Sequence, residues 1–173
     1  MSDKTTRLKK ALARAELFEG WDDILLELVA SISEERTYQR GDLIFAENSP
    51  GDELYVIVSG EITIQVNPGM IEQRDPDATM GPYQTIATLR AGQNFGEVAL
   101  LDQGLRSAAA VCTDFDTHVI AIPRDRLLVM CENVPRLGYA LMYNLAADLA
   151  MKIRNTDIQI RAVLTWTPSH RTT

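Results

Sequence analysis

Histidine is nearly missing from this chain: His118 and His170 are the only two in 173 residues. His170 stands in the C-terminal tail, and His118 sits in a β-rich run with no suitably spaced second ligand, so a zinc or cupin-like metal centre is not expected. Neither a Ser-His-Asp nor a Cys-His arrangement offers an activated nucleophile, and the reading is of a protein that is not an enzyme and needs no cofactor. Cysteine is as scarce. Cys112 and Cys131 have neither the number nor the spacing of a disulfide framework or a zinc site, and they read as reduced, partly buried thiols. Aromatics make up 6%, too few for the stacking platforms that single-stranded nucleic acid requires. No apolar stretch approaches the length of a membrane span, and Met1–Lys10 is polar and basic without the apolar centre of a secretion signal. A cytoplasmic protein with no membrane partner is the expectation. Cations are also outnumbered, with 17 Lys and Arg against 24 Asp and Glu, giving a formal net charge of −7. Such a surface repels a nucleic-acid backbone, although a pocket within it can still be locally cationic.

What is present is an ordinary globular balance, 46% hydrophobic and 24% charged, at a length suited to one domain. The first forty residues read as helical, with a break at Gly20 and an N-cap at Asp22 or Asp23 ahead of Ile24, Leu25, Leu28 and Ile32. From Gly41 the period shortens. Leu43–Ala46, Leu54–Ser59, Glu61–Val66, Gln84–Leu89, Ser107–Cys112 and Thr117–Ile122 are β-rich runs parted by turn residues, with Gly60 as a hairpin turn. Asn67–Tyr83, with three prolines and two glycines, reads as a surface insertion. After Pro123 helical spacing returns, as a short helix over Arg124–Glu132 and a long one over Pro135–Val163. The long helix is apolar on more than one stripe in its first two-thirds, as expected if one side packs on the barrel and another on a second copy of the chain. The fold class is therefore α+β, mainly β: an antiparallel barrel or jelly roll with N-terminal helices and a long C-terminal helix. The expected organisation is a helical segment over 1–40, the barrel over 41–123, helices over 124–163 and a polar tail over 164–173.

Chemistry concentrates in Phe95–Ala108, which reads FGEVALLDQGLRSA. Gly92 and Gly96 permit unusual backbone angles and close approach of a ligand. Val98–Leu101 is helix-compatible, and its first amides would be free donors suited to an anion. Arg106 can hold two phosphate oxygens with its planar fork, and Glu97 makes sense as an acceptor for a sugar hydroxyl. The residues taken alone allow a second reading with equal weight: a Glu97–Arg106 ion pair that braces the loop.

This stretch resembles the phosphate-binding cassette of cyclic nucleotide-binding domains, the family of the catabolite activator protein and of protein kinase A regulatory subunits. Gly41-Asp42-Leu43-Ile44-Phe45, Gly51–Ile57, Ser59-Gly60-Glu61 and Leu89-Arg90-Ala91-Gly92 are similar to that family's early strands, turns and lead-in. The resemblance runs from about Leu17 to Ile160. Asn48 replaces a usual glycine, a position that asparagine tolerates in the left-handed conformation.

The resemblance implies a site built from Phe95, Gly96, Glu97, Val98, Ala99, Arg106, Ser107 and Ala108. Glu97 would accept from the ribose 2′-hydroxyl, and Arg106 would pair with the exocyclic phosphate oxygens. Amides at Val98 and Ala99 would meet the phosphate, with Gly96 allowing the approach and Ser107 adding a hydroxyl. Base-facing residues are expected within Met151–Ile160, with Asn155 or Thr156 on the purine edge. The expected function is a stand-alone cyclic nucleotide sensor, cAMP in preference to cGMP, that relays ligand binding through the C-terminal helix to an unidentified effector protein. Only ten residues follow Val163, so no helix-turn-helix and no DNA partner are expected. A homodimer through the C-terminal helix is expected. The competing readings are a cGMP sensor and a dimerisation or interaction module of the same fold that binds no nucleotide.

Overall fold

The computed structural model describes residues 3–68, 83–102 and 104–165. Helices α1 (Asp3–Leu12) and α2 (Asp23–Ile32), with a 3-10 turn over Glu16–Phe18 between them, precede eight strands. These are β1 (Glu34–Tyr38), β2 (Leu43–Phe45), β3 (Glu53–Ser59), β4 (Glu61–Val66), β5 (Gln84–Arg90), β6 (Asn94–Phe95), β7 (Ala109–Cys112) and β8 (Thr117–Pro123). A short helix α3 (Glu97–Asp102) lies between β6 and β7, and α4 (Arg124–Asn133) and α5 (Pro135–Thr165) follow β8. The strands form two antiparallel four-stranded sheets, ordered β1-β8-β3-β6 and β2-β7-β4-β5. This is the jelly roll expected from the alternation of short strands.

The first sheet is apolar on both faces, which is why β3 and β8 read as nearly unbroken hydrophobic runs. Tyr55, Ile57, Val119 and Ala121 point between the sheets, where they meet Ile62, Leu89, Phe95 and Ala110. Their neighbours Leu54, Val56, Ile120 and Ile122 point the other way and pack with the helices. That second core includes Leu12, Leu17, Phe18, Val29, Leu127, Leu137, Leu141 and Leu145. Helix α2 is started by Asp22, whose carboxylate accepts from the Leu25 amide at 3.0 Å. Gly60 turns the β3–β4 hairpin at φ +91°, where a Cβ would stand 2.2 Å from Thr117 Oγ1.

Two strands escaped the sequence reading. β1 lies inside the stretch expected to be helical, because Glu34-Glu35-Arg36 carries helix-favouring residues and no apolar alternation. Pairing with β8, from Glu34↔Ala121 to Tyr38↔Thr117, overrides that local preference. β6 has two residues, too few to produce a period. Within one chain helix α5 packs on one side, the other being the side expected to meet a second copy. Leu137, Leu141 and Leu145 are buried, whereas Tyr139, Met142, Tyr143 and Ile153 are exposed, so this chain covers one face only. Most of the Asn67–Tyr83 insertion and all but the start of the polar tail lie outside the described residues.

Candidate functional site

Helix α5 crosses the open side of the second sheet and leaves a cleft of about 1300 Å³ beneath it. This exceeds the usual span of small-molecule pockets, roughly 300–1,000 Å³. One wall is β5 (Ile86 to Leu89) and another is the segment after β6, while α5 supplies Met151, Lys152, Asn155, Thr156 and Gln159. Gly96, Glu97, Val98, Arg106, Ser107 and Ala108 all line it. Phe95 does not. It is buried and stacks on Tyr55 at 5.0 Å between ring centroids, fixing the point where the chain turns into the site. Ala99 lies within α3, and its side chain is outside the described set.

Arg106 is 3% exposed. Its Nη1 donates to the Gly96 carbonyl at 2.9 Å and its Nη2 to the Glu53 carbonyl at 2.7 Å. The guanidinium carbon lies 4.2 Å from the centre of the Phe45 ring. Nε is buried with no hydrogen-bond partner. Burial pushes this guanidinium below its ordinary range, against the opposing influence of Tyr55, Asp52, Glu53 and Glu97. The left-handed Gly96 (φ +83°) is what admits it, since a Cβ at that position would stand 2.5 Å from Nη1.

Glu97 does not pair with Arg106. The loop-bracing ion pair left open by the residues alone is not formed. Glu97 Oε1 instead accepts from Lys152 Nζ of α5 at 2.9 Å. The same ammonium donates to Asp148 Oδ2 at 2.9 Å and to the Asn94 carbonyl at 3.1 Å, so all three of its hydrogens are used. Asn94 Nδ2 donates to Asp148 in turn. Burial alone would lower the Lys152 pKa, and Glu97 and Asp148 together more than reverse that, leaving it raised.

Behind the site, Arg36 grips the Glu53 carboxylate with both Nη atoms, and the Tyr55 hydroxyl donates to it at 2.6 Å. Burial would raise the Glu53 carboxyl, but the hydrogen bonds from Arg36 and Tyr55 outweigh it and hold the group below its ordinary value. This network fixes the strand whose carbonyl receives Arg106.

Sequence reasoning missed Lys152, Asp148, Asn94 and the Arg36–Glu53 pair. Asp148 and Lys152 are four apart on a helix, a spacing that marks a pair. What the spacing does not give is the rotation of α5 that aims both at Glu97. Asn155 and Thr156 are at the cleft as expected, although the Thr156 hydroxyl donates to its own helix at Lys152 O. Among the described residues no group of three or more His, Cys, Asp or Glu side chains is arranged to hold a metal ion, and no helix is long and apolar enough to cross a membrane.

Comparison with known proteins agrees with this geometry. The family model described as "Cyclic nucleotide-binding domain" matches residues 35–134. The chain is 32% identical over 145 residues to the cyclic AMP receptor protein of Thermus thermophilus, covering 83% of this chain and 60% of the relative. Its fold superimposes on the crystal structure of the Thermus thermophilus catabolite activator protein with a TM-score of 0.67 at 31% identity, over 86% of this chain and 63% of the other. A cyclic nucleotide-binding protein of Geobacter metallireducens gives a TM-score of 0.67 at 27% identity, over 88% and 99% of the two chains. The chain spans about 60% of the length of the first curated relatives it matches. A matched segment of this extent, on a jelly roll whose cleft brings Gly96 and Glu97 together with Arg106 and Ser107, shows that the chain belongs to the cyclic nucleotide-binding domain family.

Proposed function

We propose that this chain is a receptor that binds a 3′,5′-cyclic nucleotide, cAMP in preference to cGMP, and passes the binding event to an effector protein through α5. The observation that carries the reading is the state of Arg106. A buried guanidinium with no carboxylate on it, held by two carbonyls and lying over the rings of Phe45 and Tyr55, keeps an unpaired donor at a cleft wall. A phosphate oxygen supplies both the missing acceptor and the missing counter-charge. Glu97 then serves the ribose: Oε1 is held by Lys152 and Oε2 has no hydrogen-bond partner among the described residues. The preference for cAMP follows the Thermus relative, named for that ligand.

In this reading the nucleotide leaves the site unchanged, and the protein acts as a receptor rather than an enzyme, without a cofactor. The relay runs through α5, because Lys152, Asn155 and Gln159 stand on the element that roofs the cleft. A ligand that touches this roof favours one position of the helix only to the extent that its affinity differs between positions. The face of α5 that the chain leaves bare, with Tyr139, Ala146, Ile153 and Ile160 at seven-residue spacing, pairs with a second copy to form a homodimer.

Thermal-shift titration with cAMP and cGMP tests the proposal. Ligand at 100 times its dissociation constant adds about 2.7 kcal/mol when it binds only the folded state. Saturable stabilisation by cAMP, with intact nucleotide recovered by chromatography, is the expected result. No stabilisation by either nucleotide overturns it.

A further inference from the structure

Lys152 is the cation that joins the roof of the cleft to its floor. Its ammonium is fully satisfied by Glu97, Asp148 and the Asn94 carbonyl, and these come from the helix itself, from α3 and from β6. Glu97 is 6% exposed, and Lys152 is the one cation within ion-pair distance of it among the described residues. A carboxylate buried to this degree requires a partner to stay charged, and its orientation is set by whichever oxygen that partner holds.

We infer that Lys152 is a positioning residue: by holding Glu97 Oε1 it turns Oε2 toward the ligand's ribose hydroxyl, and it ties that carboxylate to α5. This rests on the reading above in which Glu97 accepts from ribose. The consequence is specific. The affinity that the 2′-hydroxyl contributes depends on Lys152, although Lys152 itself does not touch that hydroxyl. The same contact restrains the exposed half of α5, so the ribose end of the pocket and the helix share one hydrogen-bonded group. Two carboxylates, Glu97 and Asp148, face the ammonium, which makes neutralisation at 152 a loss of orientation and of charge balance together.

The test compares cAMP with 2′-deoxy-cAMP by calorimetric titration of wild type, Lys152→Gln and Lys152→Arg. Lys152 lies in the solvent-facing half of α5, and its side chain keeps 32% of its surface exposed, so the variants fold. Wild type prefers cAMP by about tenfold or more, the value of one hydrogen bond to a charged group. Lys152→Gln brings the two ligands within about threefold of each other, and Lys152→Arg recovers part of the difference. Hydrogen exchange on the ligand-free proteins supplies a second readout, with faster exchange of 148–160 expected in Lys152→Gln. A discrimination ratio unchanged in Lys152→Gln overturns the positioning role, and unchanged exchange overturns the tie to α5. Wild type that binds neither nucleotide overturns the proposed function and this inference with it.

Discussion

Arg106 Nη1 donates to the Gly96 carbonyl at 2.9 Å, and a Cβ on residue 96 would stand 2.5 Å from that same nitrogen. The backbone turn and the arginine therefore occupy their places only together. Gly96→Ala must displace the guanidinium and adopt φ +83°, a conformation that L residues rarely take. The expected outcome is a loss of cAMP affinity of at least about tenfold, with a destabilisation on the order of 1–3 kcal/mol from the strained backbone. Calorimetry and a urea melt on the same sample separate the two effects.

The Glu53 carboxyl is held below its ordinary value of 4.5 in the fold. Its contribution to stability is therefore complete above that value and disappears as pH falls through the lower folded pKa. Lys152 is raised above 10.5, so its contribution is complete below 10.5 and disappears as pH rises through the higher folded pKa. Glu53→Gln should flatten the acid limb of a melting-temperature profile and leave the alkaline limb alone. Lys152→Gln should flatten the alkaline limb. Profiles that retain both limbs in both variants would contradict these assignments.

Leu141 of α5 is fully buried against the N-terminal helices and α4. Leu141→Ala should lower unfolding stability by about 2–5 kcal/mol, the range for a leucine truncated in a core that only partly collapses. Chemical denaturation reads this directly.

The bare face of α5 leads to a prediction about assembly. Ile153 is 63% exposed, and its replacement by Glu puts a charge on the seam without entering the cleft. Sedimentation velocity should show a dimer for wild type and a monomer for Ile153→Glu, with cAMP affinity changed by less than the Gly96→Ala variant changes it. A monomeric wild type would rule out the second copy.

Much of this molecule can be read from its residues, and the exceptions share a cause. Six strands and the two C-terminal helices follow from alternation, glycine turns and Pro135, all local signals. Phe95–Ala108 carries the candidate chemistry in one continuous segment, although its residues alone leave ligand binding and an internal ion pair equally open. β1 is invisible because its strand state comes from pairing with β8, a distant segment of the chain that runs from Thr117. The Lys152–Glu97 contact is hidden for the same reason: it spans 55 positions and depends on the rotation of a helix whose apolar residues occur all round. Arg106 and Glu97 were each identifiable, but that they bind other partners rather than one another is a property of packing alone.

The central claim is that Arg106 receives the phosphate of a cyclic nucleotide. Calorimetric titration of cAMP into wild type, Arg106→Lys and Arg106→Leu tests it most directly. Because Arg106 also bonds to two carbonyls and stacks on Phe45, Arg106→Leu is expected to melt at a lower temperature, and Arg106→Lys controls for the loss of charge. The account predicts saturable one-site binding to wild type, affinity weakened by about 100-fold or more in Arg106→Leu, and an intermediate loss in Arg106→Lys, which keeps the charge but not the fork. Wild-type affinity retained by a folded Arg106→Leu protein would contradict it.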